Sequence, residues 1–420
     1  MIGANFLSGA NSRLLPFSIP FRFFVAAMIF YVLFWVSVFL NAEDITSYRI
    51  GGGPILSMIH MATLGVLTMT VMGASLQLLS VATRKSFQNF FVLRLLSWIY
   101  IPGFILLAYG MQISWHMGML VGAGLTALGL LLFFYLIINN IRGVVGMAAI
   151  MAHCWAAMLC MLGLIIVGIL LILDMEQGFM ADHISMASSH FILAVFGFMS
   201  LLAMGFSYIL VPMFALAPAP SEKLGRLSIL CNFMAIVFFL VGLNTPIYGF
   251  SAAGFLLAAF GVGLYLYNMI RVYKARMRKR LGTPFLLLRA GWVMLCLTLV
   301  WGGVGLAGYW PENGHVLFAV LAIVGWLLTF LVGILQRIIP FLSSMHTSGT
   351  NKIPKLTSSM ADERLLKIHT TGHLAGLLIM ILGVSLDSGF LLKIGAVFGF
   401  VGAVCLLTYL MAVMRHMIRK

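Results

Sequence analysis

Acidic residues are the scarcest charged class in this sequence, and their positions argue against one kind of function. Charged residues make up 8% of the 420 residues, and only 10 are Asp or Glu against 25 Lys or Arg. Every carboxylate falls in a predicted loop or at a predicted helix end, and no Lys lies in the middle of a predicted span. A proton pump or proton-coupled carrier usually needs titratable groups at membrane depth. Because the apolar spans offer only histidine and tyrosine for that purpose, the sequence argues against proton pumping.

Cysteine is also scarce, and its spacing excludes two further kinds of site. The 5 cysteines show neither CxxC nor CxxCH spacing. They all fall in predicted membrane spans, at Cys154, Cys160, Cys231, Cys296 and Cys405. We therefore predict small buried side chains, with no disulfide framework and no covalently attached cofactor.

Long apolar runs dominate the rest of the chain, since 62% of its residues are hydrophobic. A run of about 20 apolar residues is long enough to cross a bilayer as a helix. Twelve such runs lie near 21–41, 54–82, 90–111, 114–139, 147–173, 183–216, 226–247, 248–270, 284–309, 314–342, 364–385 and 389–414. The sequence therefore predicts an all-α polytopic membrane protein, with a single transmembrane domain over 1–420.

The basic residues predict how the chain is oriented. With the N-terminus inside, Arg49 and Lys393 are the only two of the 25 Lys and Arg residues on the outer side. Lys and Arg collect on the cytoplasmic side of membrane proteins. We therefore predict twelve spans in a bacterial-type inner (plasma) membrane, with both termini cytoplasmic. The net charge of +15 then indicates contact with anionic lipid rather than with nucleic acid.

The second, sixth and tenth spans share a pattern that predicts an internal repeat. Each has a histidine near its outer start and a polar residue near its inner end. The pairs are His60 with Gln77, His190 with Tyr208, and His315 with Gln336. Three repeats of four helices follow, at about 21–139, 147–270 and 284–414. The alternative explanation of this similarity is the restricted composition of membrane helices. For the polar residues at the inner ends, two roles stay open, namely lining a cavity or making contacts between helices.

The histidines fall at two depths of the predicted bundle. At about 1.5 Å per residue, His60 and His190 lie roughly 10 Å below the outer helix ends, where they face one planar cofactor or two neighbouring ones. An inner tier holds His153, His369 and His373. A single membrane histidine is best explained by a hydrogen bond between helices. Five such rings at two depths favour metal or haem binding, since buried polar groups in membranes are costly.

The predicted ligands follow from this arrangement. Neutral imidazole commonly binds haem iron and other metals. The first candidates are His60 and His190, followed by His153 and His373, with His369 and His315 as further cofactor-binding candidates. Because His369 and His373 are four residues apart, they share one helix face. This spacing suits a single metal, two adjacent metals, or one cofactor together with a hydrogen bond to a second group. Arg337, near an inner helix end, suits a haem carboxylate or a lipid phosphate.

These features resemble two related groups of membrane proteins. Twelve helices in three four-helix arcs, with histidines near the outer ends of the second, sixth and tenth spans, resemble subunit I of the haem-copper oxidases. His60 with Gly65 and Gly73, and RIIPF at 337–341, resemble motifs of the NnrS-type proteins, which are associated with nitric oxide stress. The resemblance implies haem b, with copper as a further candidate. It also implies a role in electron transfer, nitric-oxide-linked chemistry or a respiratory complex, with cytochrome c or a respiratory subunit as partner.

The departures from the oxidase pattern are equally informative. That pattern has two adjacent histidines on the seventh helix and a close pair on the tenth. Here the seventh span, RLSILCNFMAIVFFLVGLN, has no histidine, and the tenth has only His315 at its outer edge. We therefore predict that a standard oxygen-reducing copper centre is lacking, and whether the protein is an enzyme stays open. The alternative is a non-redox transporter, or an assembly factor that delivers haem or copper.

Overall fold

The twelve predicted spans are confirmed as helices. The structure, a computed structural model, describes residues 14–49, 51–348 and 362–418. Within these ranges twelve helices are long and apolar enough to cross a membrane, so the chain is a multi-pass membrane protein. They are α1 Ser18–Leu40, α2 Pro54–Ala82, α3 Phe90–Gln112, α4 His116–Ile141, α5 Ala148–Gln177, α6 His183–Ala215, α7 Glu222–Asn244, α8 Tyr248–Lys274, α9 Thr283–Leu306, α10 Gly314–His346, α11 Glu363–Ser385 and α12 Gly389–Arg415. We keep "outer" and "inner" for the two ends of the bundle as the charge pattern predicts them.

Polar caps set several helix starts. The side chain of Ser221 accepts a hydrogen bond from the backbone of Leu224, so α7 begins at Glu222, earlier than the apolar run predicts. At the start of α6, Asp182 accepts from both the backbone and the hydroxyl of Ser185. These bonds hold the pKa of Asp182 below its ordinary value. A capped first turn is polar, and hydropathy alone therefore places the start of α7 too late.

The helices pack as three similar groups around a common centre. In each group the last two helices form a close hairpin, namely α3 with α4, α7 with α8, and α11 with α12. The first helix of each group packs on the second, and contacts between α4 and α5, α8 and α9, and α12 and α1 close the ring. Helices α2, α6 and α10 are the most enclosed of the twelve. This arrangement accords with the predicted repeat units, whose boundaries stay a prediction.

The three central helices share a local distortion. Each contains a π-helical segment, at Met61–Thr68 in α2, Ile192–Ser200 in α6 and Val320–Leu328 in α10. At the end of each segment a hydroxyl donates to the carbonyl five residues earlier. The distances are 3.0 Å for Thr68, 2.7 Å for Ser200 and 2.8 Å for Thr329. The α10 segment packs against the other two, so the wider turns meet near the centre of the bundle.

Two cysteines depart from the predicted burial. Cys296 on α9 is exposed and Cys405 on α12 is only partly buried, whereas the other three are buried. The prediction was wrong for these two because a membrane helix is apolar on its lipid-facing side as well. All five are free thiols.

Close glycine contacts join α11 to α12 and thereby position the inner histidines on α11. A Cβ atom added at Gly372 would lie 2.7 Å from the carbonyl oxygen of Phe398, and one at Gly376 would lie 2.8 Å from that of Gly395. Small residues allow helices to approach closely in membranes, where dispersion and hydrogen bonds drive association.

We expect Gly376→Val to force α11 away from α12 and to destabilise the protein by about 1–3 kcal/mol. Gly263→Val is the matched control, because a Cβ at Gly263 on α8 would meet nothing within 4 Å. Thermal unfolding in detergent measures both variants against the unmodified chain. Equal melting temperatures for the two variants would contradict the proposed close packing.

Candidate functional site

A cavity of about 860 Å³ lies in the outer half of the bundle. Side chains of the central helices α2, α6 and α10 line it together with residues of α5, α7, α8 and α9. The lining is mostly apolar, and its histidines are His60, His183, His190 and His315. Within the part of the chain that the structure describes, no carboxylate lines this space, and Arg49 at the outer end is the only Lys or Arg that does. Its size is within the range of pockets that hold cofactors, about 300–1,000 Å³.

Local structure brings two of the predicted ligands to the same depth. Gly53, with a φ of 106°, turns the chain, and Pro54 begins α2 directly after it. His60 follows six residues later, about 9 Å along the helix axis. On α6, His190 lies seven residues after the capped start at His183, about 10 Å along that axis. The residue count and the helix starts together therefore account for the matched depth.

His60 and His190 face each other across this part of the cavity. Their ring centroids are 6.4 Å apart, with an angle of 35° between the ring planes. Nδ1 of His60 donates to the carbonyl of Leu56 at 2.9 Å, which leaves Nε2 with a free lone pair. Among the described residues no hydrogen bond engages Nε2 of His60, whereas the ring of His190 meets the backbone of Leu164.

This geometry fits a metal held between two imidazoles. Metal–imidazole bonds are about 2 Å long and a ring nitrogen lies roughly 1 Å from its ring centre, so two rings on opposite sides of one metal have centres roughly 6 Å apart. The observed separation of 6.4 Å agrees with this value. The two residues would therefore suit a metal-containing cofactor held between their rings, and the apolar walls would suit its apolar body.

A glycine makes the room that His190 occupies. A Cβ atom added at Gly168 on α5 would lie 2.9 Å from Cε1 of His190. Nδ1 of His190 is buried without a hydrogen-bond partner. The two candidate ligands are therefore held differently, because the ring of His60 is hydrogen-bonded to its own helix, whereas that of His190 meets the backbone of Leu164 and packs on Gly168, both on α5.

The inner pair on α11 is engaged in hydrogen bonds. His373 contacts the hydroxyls of Tyr31 through Nδ1 at 2.6 Å and of Thr329 through Nε2 at 2.8 Å. His369 accepts a hydrogen bond from Nε2 of Gln336 at Nδ1, at 2.7 Å, so the neutral ring carries its proton on Nε2. That nitrogen is buried and has no hydrogen-bond partner. Neither ring has a lone pair free to bind a metal without a change of hydrogen bonding, and their assignment as ligands stays a prediction.

His153 lies apart from the α11 pair, on α5. Its Nδ1 donates to the carbonyl of Ala149 at 2.7 Å, and its buried Nε2 has no hydrogen-bond partner. The ring packs edge-to-face on Tyr208, with centroids 5.3 Å apart. The predicted inner tier is thus divided between two places, and the ligand role of His153 also stays a prediction.

His315 lies at the cavity mouth, where it orders the loop before α2. Its Nε2 is 2.9 Å from the carbonyl oxygen of Tyr48, and the Tyr48 hydroxyl donates to the carbonyl of Gly51 at 2.8 Å. Burial raises the pKa of Tyr48 to about 12, so the phenol remains a neutral donor. The bond at Nε2 makes His315 a loop-positioning residue in this structure. Its predicted cofactor binding stays untested.

The predicted polar residues at the inner ends of the repeat helices, Gln77, Tyr208 and Gln336, do not line the cavity. Gln336 donates to Thr370 on α11 at 3.0 Å, as well as to His369. The side-chain oxygen of Gln77 accepts from the backbone of Leu15 at 3.2 Å. Arg337 likewise lies away from the cavity, where it donates to the carbonyl of Leu281.

A metal site of three or more ligands is not found among the described residues, where no three His, Cys, Asp or Glu side chains come together. Haem iron needs only one or two side chains from the protein. The absence of such a cluster therefore argues against a metal site with three or more protein ligands. It does not argue against a haem between His60 and His190.

Several residues important for this geometry were not predicted from the sequence. Tyr31 and Thr329 engage His373, and Gly168 makes room for His190. One signal existed for Thr329. A hydroxyl residue stands in an apolar run at a similar place in all three repeat helices, at Thr68, Ser200 and Thr329.

Comparison with known proteins supports the fold. A cryo-EM structure of a haem-copper terminal oxidase dimer matches this chain with a TM-score of 0.64 and 14% sequence identity, over 96% of this chain and 84% of the oxidase chain. Identity this low shows likeness of fold alone. The fold is therefore similar to that of haem-copper oxidase subunit I, as the sequence predicted. No protein-family model matches the chain, and no curated protein does.

We expect Thr329→Val to destabilise the protein by about 1–3 kcal/mol, because it leaves a buried nitrogen of His373 without its partner while keeping the side-chain shape. Thr408→Val on α12 is the matched control, since Thr408 is exposed and bonds only the carbonyl of its own helix at Val404. Thermal unfolding in detergent compares the two. A Thr329→Val protein as stable as the control would show that the contact with His373 contributes nothing.

Proposed function

We propose that this chain is an integral membrane haem protein in which His60 and His190 would hold one haem b. The single observation that carries the proposal is the pair of facing imidazoles, with ring centroids 6.4 Å apart, beside a large apolar cavity. Haem, when bound, supplies an iron that accepts and releases one electron. Because two imidazoles of the chain would hold the group, we propose a role in electron transfer.

Different residues of the chain position the two candidate ligands and line the site. Leu56 fixes the ring of His60 through its carbonyl, so that Nε2 presents its lone pair without any tautomer change. Gly168 sets the position of His190 by leaving space for its ring. The apolar lining excludes water from the space between the helices. We propose cytochrome c or a respiratory-complex subunit as the electron partner at the outer side of a bacterial inner membrane.

A nitric-oxide-linked or gas-sensing role is the second candidate, and one observation favours it. A gas needs an open axial position, which one of the two imidazoles would have to vacate. His190 would be the more easily displaced ring, because its contact with the backbone of Leu164 leaves Nδ1 without a full hydrogen bond, whereas Nδ1 of His60 is bonded to Leu56 at 2.9 Å. Copper has less support, since no site of three ligands was found in the described ranges.

We expect His60→Ala and His190→Ala each to lose the low-spin b-type absorption spectrum, with bound haem falling from about one per chain to a small fraction. His116→Ala is the matched control, because His116 lies near an outer helix end but bonds the carbonyl of Ile172 and does not line the cavity. Pyridine haemochrome assay and visible spectroscopy of the purified protein provide the measurement. A stable, colourless unmodified protein would refute the haem proposal and favour a transporter or an assembly factor.

We expect Gly168→Ala to displace the ring of His190 and to weaken its bond to iron by roughly tenfold or more, in the range seen for residues that orient ligands. Gly163→Ala on the same helix is the control, because its added Cβ would meet only a flexible leucine side chain, 3.3 Å away. Resonance Raman spectra report the change from six to five ligands, and carbon monoxide binding to the reduced protein reports the opened position. Identical spectra for both variants would show that Gly168 has no part in placing His190.

A further inference from the structure

One arginine lies on the lipid-facing side of a membrane helix. Arg289 is the only charged residue of α9, and it lies six residues after the helix start at Thr283, about 9 Å along the axis. It belongs to a stripe of exposed side chains at every third or fourth residue, Leu286, Arg289, Val293, Leu297 and Val300. A charge at membrane depth is costly and usually has a partner. The partner of Arg289 therefore has to come from a neighbouring segment or from the lipid.

The neighbouring segment supplies a second cation at the same place. The guanidinium carbon of Arg276 lies 4.4 Å from the ring centroid of Tyr273, and that of Arg289 lies 5.9 Å from the same centroid. Tyr273 is in the last turn of α8, and its ring packs on Phe285 of α9 with centroids 6.4 Å apart. The contact between α8 and α9 thus holds two positive charges beside one aromatic ring.

Protein carboxylates do not balance these two charges. Neither Arg276 nor Arg289 forms an ion pair within the described ranges. Nη1 of Arg276 donates to the carbonyl of Tyr273 at 2.9 Å, whereas its Nε is buried and has no hydrogen-bond partner. Two like charges beside one ring repel each other, and an anion bound by both would remove that repulsion.

We propose that Arg276 and Arg289 bind the phosphate group of an anionic phospholipid in the inner leaflet. Arginine suits phosphate because its planar fork makes two parallel hydrogen bonds. Basic pockets between membrane helices on the cytoplasmic side bind the head groups of anionic lipids. The exposed side chains of Val293 and Leu297 continue the stripe from Arg289 towards the middle of the bilayer, where they contact the acyl chains. This continuity with an apolar, lipid-facing surface favours a lipid over a soluble phosphate compound.

The lipid site is independent of the proposed haem. Neither arginine lines the outer cavity that contains His60 and His190. The bound phosphate holds the connection between α8 and α9, which also contacts a central helix, since the backbone of Met277 donates to the carbonyl of Leu216 after α6 at 3.1 Å. Lipid binding therefore stabilises the packing of α8 and α9 on the rest of the bundle.

The test uses the full-length protein, purified in detergent and freed of lipid. It is titrated with phosphatidylglycerol and, separately, with phosphatidylcholine of the same acyl chains, which has no net charge. Thermal unfolding against lipid concentration gives the apparent affinity, and native mass spectrometry counts the bound lipids. We expect phosphatidylglycerol to bind at least about tenfold more tightly than phosphatidylcholine and to raise the melting temperature as it fills the site.

Substitutions at the two arginines test the site itself. Arg276→Gln and Arg289→Gln should each weaken phosphatidylglycerol binding about tenfold, because each removes hydrogen bonds to a charged group. Arg289→Lys keeps the charge without the fork and should retain part of the affinity. The double variant should lose less than the two single effects combined, since both arginines contact one phosphate. The affinity comes from the lipid dependence, so a variant that is less stable without lipid still reports binding.

Arg226→Gln is the matched control for a general change of surface charge. Arg226 is another exposed arginine near an inner helix end, on α7, and this substitution should leave phosphatidylglycerol binding unchanged. Equal binding of the two lipids, or phosphatidylglycerol binding that ignores Arg289→Gln, would overturn the proposal. Equal weakening by Arg226→Gln would also overturn it, because charge anywhere on the inner face would then suffice. Displacement of the lipid by glycerol phosphate would identify a soluble phosphate compound as the ligand and overturn the lipid assignment.

Discussion

A buried imidazole nitrogen without a hydrogen-bond partner or a metal costs free energy, and this constraint distinguishes the histidines of the bundle from one another. Both nitrogens of His373 are hydrogen-bonded, so its ring is complete within the protein. His369 and His153 each have one unpartnered nitrogen in a tightly packed place. Among the described residues, His60 and His190 are the facing pair of histidines that lines a cavity large enough for a cofactor. Their geometry, rather than the number of histidines, therefore separates this pair from the others.

The π-helical segments place this pair. A π turn takes up more residues than an α turn, so it rotates the residues before it relative to those after it. His60 lies directly before the segment Met61–Thr68, and Phe191 separates His190 from the segment Ile192–Ser200. The segments meet near the centre of the bundle, and both histidines lie just before them, on the cavity lining. The hydroxyl at the end of each segment satisfies a carbonyl that lipid would leave without a partner.

The sequence predicted the class of fold well and the site only in part. Apolar run length determines a membrane helix almost alone, so twelve spans followed, and the errors arose where polar caps such as Ser221 extend a helix. Depth along a helix also follows from residue count, which paired His60 with His190. Rotation about a helix axis does not follow from hydropathy, because the central helices are apolar on all sides. The hydrogen bonds of His373 with Tyr31 and Thr329 therefore could not be predicted from the sequence and required the structure.

The scarcity of acidic residues determines how charge could be compensated inside the cavity. An electron that enters an apolar site adds negative charge, and the surroundings must compensate it either with a proton or with a fixed cation. Among the described residues of the cavity lining there is no carboxylate to take up a proton, whereas Arg49 at the mouth, which pairs with Glu312 at 2.8 Å, carries a permanent positive charge. A haem held there would be compensated by a fixed charge. The same feature that argues against proton pumping thus suits a site that exchanges electrons alone.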